Sequence, residues 1–243
     1  MKRPGRIRYW TAVLFFRLAV RVYFRLRTEG LDRLPRGPAV LCFNHQSWAD
    51  PFILAAAVPA RPDLMFFGPR EADLGVGAKN RLIRWSQRSI PFRPDKTGLV
   101  DVSRRVGAEL RRGAWVAIAP EGRIHVGERV VLPLDDGVAF FAIRGGAPIV
   151  PIAINGTGWL RFGGTVRVRI GDPVTADGPA TREAITELTA ETREALLRLV
   201  ADARDRPPPG PVGRWLTEVF QDWPEGSRPS MDESLTGAGQ THD

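Results

Sequence analysis

Between residues 29 and 204 short apolar runs alternate with stretches whose apolar residues recur at helical spacing, and this alternation limits the fold more than any other feature. Runs of four to eight apolar residues bounded by turn signals read as buried strands, and intervening helical patterns place them in an α/β sheet. Strands are expected at Ala39–Phe43, Leu64–Phe67, Ser89–Phe92, Trp115–Ala119 and Ile149–Ile154. Val166, Val168 and Ile170 alternate with Arg167 and Arg169, as in a strand with one wet face. Helices are expected over Pro51–Val58, 76–87, Leu99–Arg111, Asp136–Ile143 and Thr181–Ala203. A chain of 243 residues suits one domain or two small ones and can bury a core without staples. Its single cysteine, Cys42, excludes an internal disulfide and fits a reducing compartment. One thiol and three histidines cannot make a His/Cys zinc site of ordinary spacing, so no metal is expected.

The charge is unevenly placed. Of 35 basic residues, eight (Lys2, Arg3, Arg6, Arg8, Arg17, Arg21, Arg25 and Arg27) fall in residues 1–28, which hold no acid. The other 27 basic residues balance the 27 acidic ones. A nucleic-acid-binding module carries its surplus on the folded body, so no nucleic acid is expected as partner. Residues 9–26 read YWTAVLFFRLAVRVYFRL. Of the arginines at 17, 21 and 25, two would lie near the centre of a membrane-crossing helix, at about 2.5–3.5 kcal/mol each. A helix lying in the membrane surface avoids that cost, with an apolar face in the acyl boundary and an arginine stripe on anionic head groups. The competing reading is a helix packed on its own core.

Two strand ends carry the chemistry-bearing residues. Asn44-His45-Gln46-Ser47-Trp48-Ala49-Asp50 joins an expected strand to an expected helix. Five residues rotate about 140° beyond a full helical turn, so His45 and Asp50 meet only across a turn. If they meet, the carboxylate orients the imidazole and leaves its other nitrogen as a general base. If they do not, His45 caps the helix and Asp50 is exposed, and the pair alone leaves both readings open. Pro120-Glu121-Gly122-Arg123 follows another strand, with a carboxylate for a polyol and a guanidinium for phosphate. Arg93, in Ile90-Pro-Phe-Arg-Pro94, offers a second phosphate ligand. Ile149-Val150-Pro151-Ile152 is an apolar strand with a proline.

In this order and spacing, NHQSWAD, IPFRPD, APEGRI and PIVPIAI resemble the glycerolipid acyltransferase family, over about residues 36–155. The resemblance implies transfer of a fatty acyl group from acyl-CoA or an acyl-carrier protein to a lysophospholipid hydroxyl, with no other cofactor. It matches His45 and Asp50 to the catalytic pair, and Arg93, Glu121, Gly122 and Arg123 to the acceptor-binding blocks. Two departures stand out. Arg123 follows Gly122 directly, where the family usually has an intervening threonine. Asp135 and Asp136 precede Gly137, where the family usually has a basic residue. Like charges beside a phosphate site weaken anion binding, which opens a second reading with another lysolipid or an aminolipid as acceptor. A non-catalytic membrane-surface protein is the rival from another class.

The expected architecture is one α/β domain with a mixed, largely buried β-sheet flanked by helices. Residues 1–28 form a basic amphipathic membrane-association segment, 29–204 the acyltransferase domain, and 205–243 a Pro-rich linker and largely disordered tail. In that tail Trp215, Leu216, Val219, Phe220 and Trp223 suit one apolar face of a short helix, open to docking on the body or to contact with lipid. The expected location is the cytoplasmic face of the cell membrane, peripheral or monotopic. Four signals read as bland. Asp95-Lys96-Thr97-Gly98 echoes a phosphorylated-aspartate loop by chance, Asn155-Gly156-Thr157 is a glycosylation sequon in form only, Cys42 is a core residue, and His125 and His242 are surface residues.

Overall fold

The computed structural model describes residues 6–70, 86, 88–93 and 95–221. In chain order it runs α1 (Arg6–Tyr23), β1 (Phe24–Glu29), a 3-10 turn (Leu31–Arg33), β2 (Ala39–Phe43), α2 (Asp50–Ala57), β3 (Leu64–Arg70) and β4 (Ser89–Phe92). It continues with α3 (Lys96–Arg111), β5 (Trp115–Ile118), α4 (Gly137–Gly145), β6 (Ile149–Asn155), β7 (Gly164–Ile170), α5 (Arg182–Val200) and α6 (Pro211–Gln221). The described strands form one sheet in the order β1-β7-β6-β2-β5-β3-β4. Only the β6–β7 pairing is antiparallel, so the sheet is mixed, as expected. The helix expected over 76–87 falls outside the described residues, apart from Ser86, and so do Trp223, His242 and the remainder of the tail.

Strands β2, β5 and β6 are buried at every position because helices cover both faces of the sheet's middle. On one face Val40, Cys42, Val116, Ile149 and Ala153 pack against Val102, Val106 and Leu110 of α3, Val138 and Ala139 of α4, and Leu188 and Leu196 of α5. On the other, Leu41, Phe43, Ile152, Ile154 and Val168 pack against Val20 of α1 and Ile53 and Leu54 of α2. The Asp95-Lys96-Thr97-Gly98 stretch is a helix start. Asp95 caps α3 by accepting from the Gly98 N–H at 2.7 Å, and Gly98 has no side chain because one would meet the Arg93 carbonyl oxygen at 2.5 Å.

Three expectations at the chain's ends need correction. The junction placed between residues 28 and 29 lies inside β1, which pairs with β7 in parallel from Phe24↔Gly164 to Glu29↔Arg169. Because α1 ends at Tyr23, the arginine stripe ends at Arg21, and Arg25 stands on a strand. Arg17 turns inward, donating from Nε to the Ala55 carbonyl at 3.4 Å and from Nη2 to that of Val58, the C-cap residue of α2. Those carbonyls lack helical donors and attract a cation. Opposite, Leu14, Phe15, Leu18 and Val22 of α1 are 63–69% exposed. No described helix is long and apolar enough to cross a membrane. At the other end α6 belongs to the folded body. Its Thr217 hydroxyl oxygen accepts from the Leu160 N–H at 3.0 Å and Leu216 packs on the core.

Candidate active site

The carboxyl ends of β2, β5 and β6, neighbours at the centre of the sheet, deliver the loops that carry Asn44–Asp50, Pro120–Arg123 and Asn155–Thr157. This edge of an open α/β sheet is where strand order reverses and loops diverge to leave a crevice. Asn44 fixes the first loop. Its buried side chain donates to the Ile154 carbonyl at 3.1 Å and accepts from the Ile154 N–H at 2.7 Å, extending the β2–β6 ladder by one amide. The chain then turns, and His45 Nδ1 comes to 3.0 Å from Asp50 Oδ2. The pair that the sequence left open is therefore formed.

Asp50 has no exposed surface, yet four donors converge on it. Oδ2 accepts from the Gln46 and Ser47 N–H groups at 2.7 Å each and from His45, while Oδ1 accepts from the Thr157 hydroxyl at 2.7 Å. A carboxylate surrounded only by donors accepts and does not donate. The proton on His45 is thereby placed on Nδ1, and the Nε2 lone pair is left for chemistry. The imidazole side chain keeps 20% of its surface open. Thr157 is a site residue that the sequence reading missed, having noted it only as part of a sequon. Its signal is its place two residues past the end of β6, legible only once β6 is known to lie beside β2.

Glu121 joins the site, but through its protein contacts. Oε1 accepts from the His45 N–H and Oε2 from the Leu132 N–H, both at 2.8 Å, so its side chain ties the His45 turn to the loop after β5. Arg193 of α5 holds the same loop through the Val131 and Leu132 carbonyls at 2.8 and 3.1 Å. Gly122 occupies the left-handed region at φ 69°, which permits the turn, and a side chain there would approach Asp135 Oδ2 at 3.7 Å. Arg123 follows in the same turn, half-buried. Arg93 is placed elsewhere. It stands at the end of the edge strand β4, three strands from β2, about 14 Å across the sheet, half-exposed and 3.9 and 4.0 Å from the carboxylates of Asp95 and Asp101.

His125 corrects the reading of it as a surface residue. It is completely buried, its N–H donates to the His45 carbonyl at 3.1 Å, and its Nε2 lies 3.0 Å from Glu121 Oε2 without hydrogen-bond alignment. The turn from Gly122 folds the segment back under the Asn44–Asp50 loop and carries His125 inside. Glu128, in the same loop, is also buried. It accepts from the Gly156 N–H at 2.9 Å and from Asn155 Nδ2 at 3.1 Å, and burial raises its carboxyl above the ordinary range despite those donors. Gln221 of α6 closes the far side, accepting from the Trp48 N–H at 3.1 Å and donating to the Gln46 carbonyl at 3.5 Å. Cys42 is sealed in β2, where burial first and the Glu121 charge second push its thiol far up, so it is no nucleophile. Among the described residues no group of three His, Cys, Asp or Glu side chains is placed to hold a metal.

Comparison with known proteins identifies the family and the fold. The sequence profile of the acyltransferase family matches residues 25–155. The chain is 31% identical over 206 residues to a 1-acyl-sn-glycerol-3-phosphate acyltransferase of Pseudomonas aeruginosa, covering 76% of this chain and 75% of that protein. It is 27% identical over 177 residues to the 1-acyl-sn-glycerol-3-phosphate acyltransferase of Saccharomyces cerevisiae, spanning 67% of this chain and 55% of that one. The fold superposes on the crystal structure of the 1-acyl-sn-glycerophosphate acyltransferase PlsC from Thermotoga maritima with a TM-score of 0.64, at 22% identity and 85% coverage of each chain. The match spans more than half of the chain and includes both the His45–Asp50 turn and the Glu121 loop, so this protein belongs to the acyltransferase family.

Proposed function

We propose that the protein transfers a fatty acyl group from the thioester of acyl-CoA or an acyl-carrier protein to the free hydroxyl of a lysophospholipid such as 1-acylglycerol-3-phosphate. The observation that carries this reading is the His45 Nδ1–Asp50 Oδ2 contact of 3.0 Å, with the partly open imidazole at the carboxyl edge of the sheet. His45 Nε2 takes the proton of the acceptor hydroxyl as its oxygen bonds to the thioester carbonyl carbon. The tetrahedral intermediate expels the thiolate, which recovers a proton from the imidazolium. A thiolate leaves readily, so the base contributes about 10²–10⁴-fold. Asp50 stabilises the cation formed on His45 during transfer. Glu121 acts as a positioning residue through the His45 backbone, with Gly122 and Arg123 beside it facing the acceptor. The names of the Pseudomonas and yeast relatives support 1-acylglycerol-3-phosphate as acceptor. Asp135, adjoining Gly122, favours a second reading in which the preferred head group carries less negative charge.

The exposed apolar face of α1 and the acid-free basic segment around it support attachment to an anionic membrane surface, which we place at the cytoplasmic face. The test is thiol release from acyl-CoA with a panel of lysolipids, comparing wild type with His45→Ala. Loss of turnover in a variant that melts like wild type supports the assignment, and equal turnover ends it.

A further inference from the structure

The face of β1 and β7 turned away from α1 carries a cluster of arginines. Phe24, Leu26, Val166 and Val168 point to the α1–α2 side, so Arg25, Arg27 and Arg167 share the opposite face, with Glu29 and its ladder partner Arg169 at the far end of it. Arg27 and Arg167 are direct partners across the ladder, an arrangement that is unfavourable for like charges unless an anion lies between them. Arg206 joins from the segment before α6. Its guanidinium lies against Gly156, where a side chain would meet Nη2 at 3.1 Å. Among the described residues no ion pair within 4.0 Å joins these four arginines to a carboxylate, although Arg167 attracts Asp202 and Arg206 attracts Glu128 at longer range. Asp202 and the Leu199 carbonyl are taken by Arg169, one ladder step further from the site. The cluster sits at the end of the sheet that carries the His45 turn, because Arg167 pairs with Asn155, two residues before Thr157. Arg27 is three strands from β2, about 14 Å across.

We infer that Arg25, Arg27, Arg167 and Arg206 form a phosphate-binding subsite for the nucleotide end of the acyl donor, the 3′-phosphate and pyrophosphate of coenzyme A. The inference rests on the acyl-transfer reading above and assigns the donor's head to the side of the sheet opposite α1. Guanidinium groups bind phosphate oxygens bidentately, and three of them on two adjacent strands with a fourth from the segment before α6 match a compact polyphosphate better than a whole protein surface. The lateral separation suits a pantetheine arm reaching from this cluster to His45. With α1 on a lipid surface, the opposite face meets water, where a soluble thioester arrives.

The test pairs binding with kinetics. Adenosine 3′,5′-diphosphate, which lacks a thioester, is titrated calorimetrically into wild type and into Arg27→Gln/Arg167→Gln. Wild type binds it, and the variant loses about tenfold or more in affinity, the scale of one charge-assisted contact. The KM for acyl-CoA rises comparably, while kcat/KM for acyl-pantetheine, which has no nucleotide, and the KM for the lysolipid stay within about twofold. Equal nucleotide binding by both proteins, or a variant equally impaired with both donors, overturns the inference. So does a raised lysolipid KM with donor KM unchanged, which moves the subsite to the acceptor, or a loss confined to acyl-carrier protein, which moves it to an acidic protein. If wild type turns over neither donor, the acyl-transfer reading fails, and the nucleotide titration still decides whether the phosphate subsite exists.

Discussion

Replacing Asp50 by Asn isolates what the buried charge does, because the geometry around it tolerates the exchange. Three donors converge on Oδ2, whereas Oδ1 meets only the Thr157 hydroxyl, which can rotate to accept. An asparagine therefore settles with its oxygen at the Oδ2 position and its amide nitrogen toward Thr157. The Gln46 and Ser47 N–H groups stay satisfied, and Nδ1 of His45 still donates. What disappears is the attraction between the carboxylate and the imidazolium that forms as the hydroxyl proton is taken. At 3.0 Å that attraction is about 1.4 kcal/mol with the dielectric of water and about 5.5 kcal/mol at an effective dielectric near 20. Full burial of Asp50 with partial opening of His45 places the site between these limits. The expected loss in kcat is then about 10²–10³-fold, inside the range of general-base catalysis. Initial rates of thiol release at saturating donor and acceptor measure it, with thermal melting as the control. A variant that melts within a few degrees of wild type and keeps more than about a tenth of its kcat refutes the argument, since the charge then contributes less than it would in water.

Three further predictions concern the scaffold and its surfaces. Gly98→Ala forces a methyl against the Arg93 carbonyl, 2.5 Å from the ideal position, and is expected to cost about 1–3 kcal/mol in denaturant unfolding. Burial raises the Glu128 carboxyl above its ordinary 4.5, so the folded state holds that proton more tightly than the unfolded chain. Its contribution is fully present below pH 4.5 and is lost as pH climbs through the raised value, so Glu128→Gln flattens the fall in stability over that interval, read as melting temperature against pH. Leu14→Glu/Leu18→Glu places two charges on the outer face of α1 and is expected to reduce sedimentation with anionic vesicles without moving the melting temperature, because both side chains are over 60% exposed.

Strands β2, β5 and β6, sealed on both faces, are legible as apolar runs, and β7 through its alternation with one wet face. Ala39–Phe43 reads as an unbroken apolar run because helices cover it from two sides, and its register follows. Strand β1 escaped notice for the opposite reason. It lies at the sheet's edge with Arg25 and Arg27 on its wet face, and its pattern runs on from α1 without a turn signal. The helical start at Asp95 was readable as chemistry only because four residues are too few to distinguish a cap from a motif. Within the site, His45 and Asp50 are five positions apart, so a local pattern exposes them. Thr157 stands 107 positions from Asp50, and nothing near it in the chain announces a partner. The same holds for Glu121, whose side chain looks available for a ligand until the Leu132 and His45 N–H groups are placed on its two oxygens. His125 shows the limit of reading polarity as exposure, for a buried imidazole needs only a loop that folds back.

The order of synthesis gives the clamp at Gln221 a consequence. The histidine and aspartate leave the ribosome early, but the hydroxyl that seats the carboxylate follows 107 positions after Asp50, and the amide that braces the turn 173 positions after Trp48. Acyl transfer therefore waits for nearly the whole described chain, and a truncated translation product bearing both reacting side chains is expected to be idle.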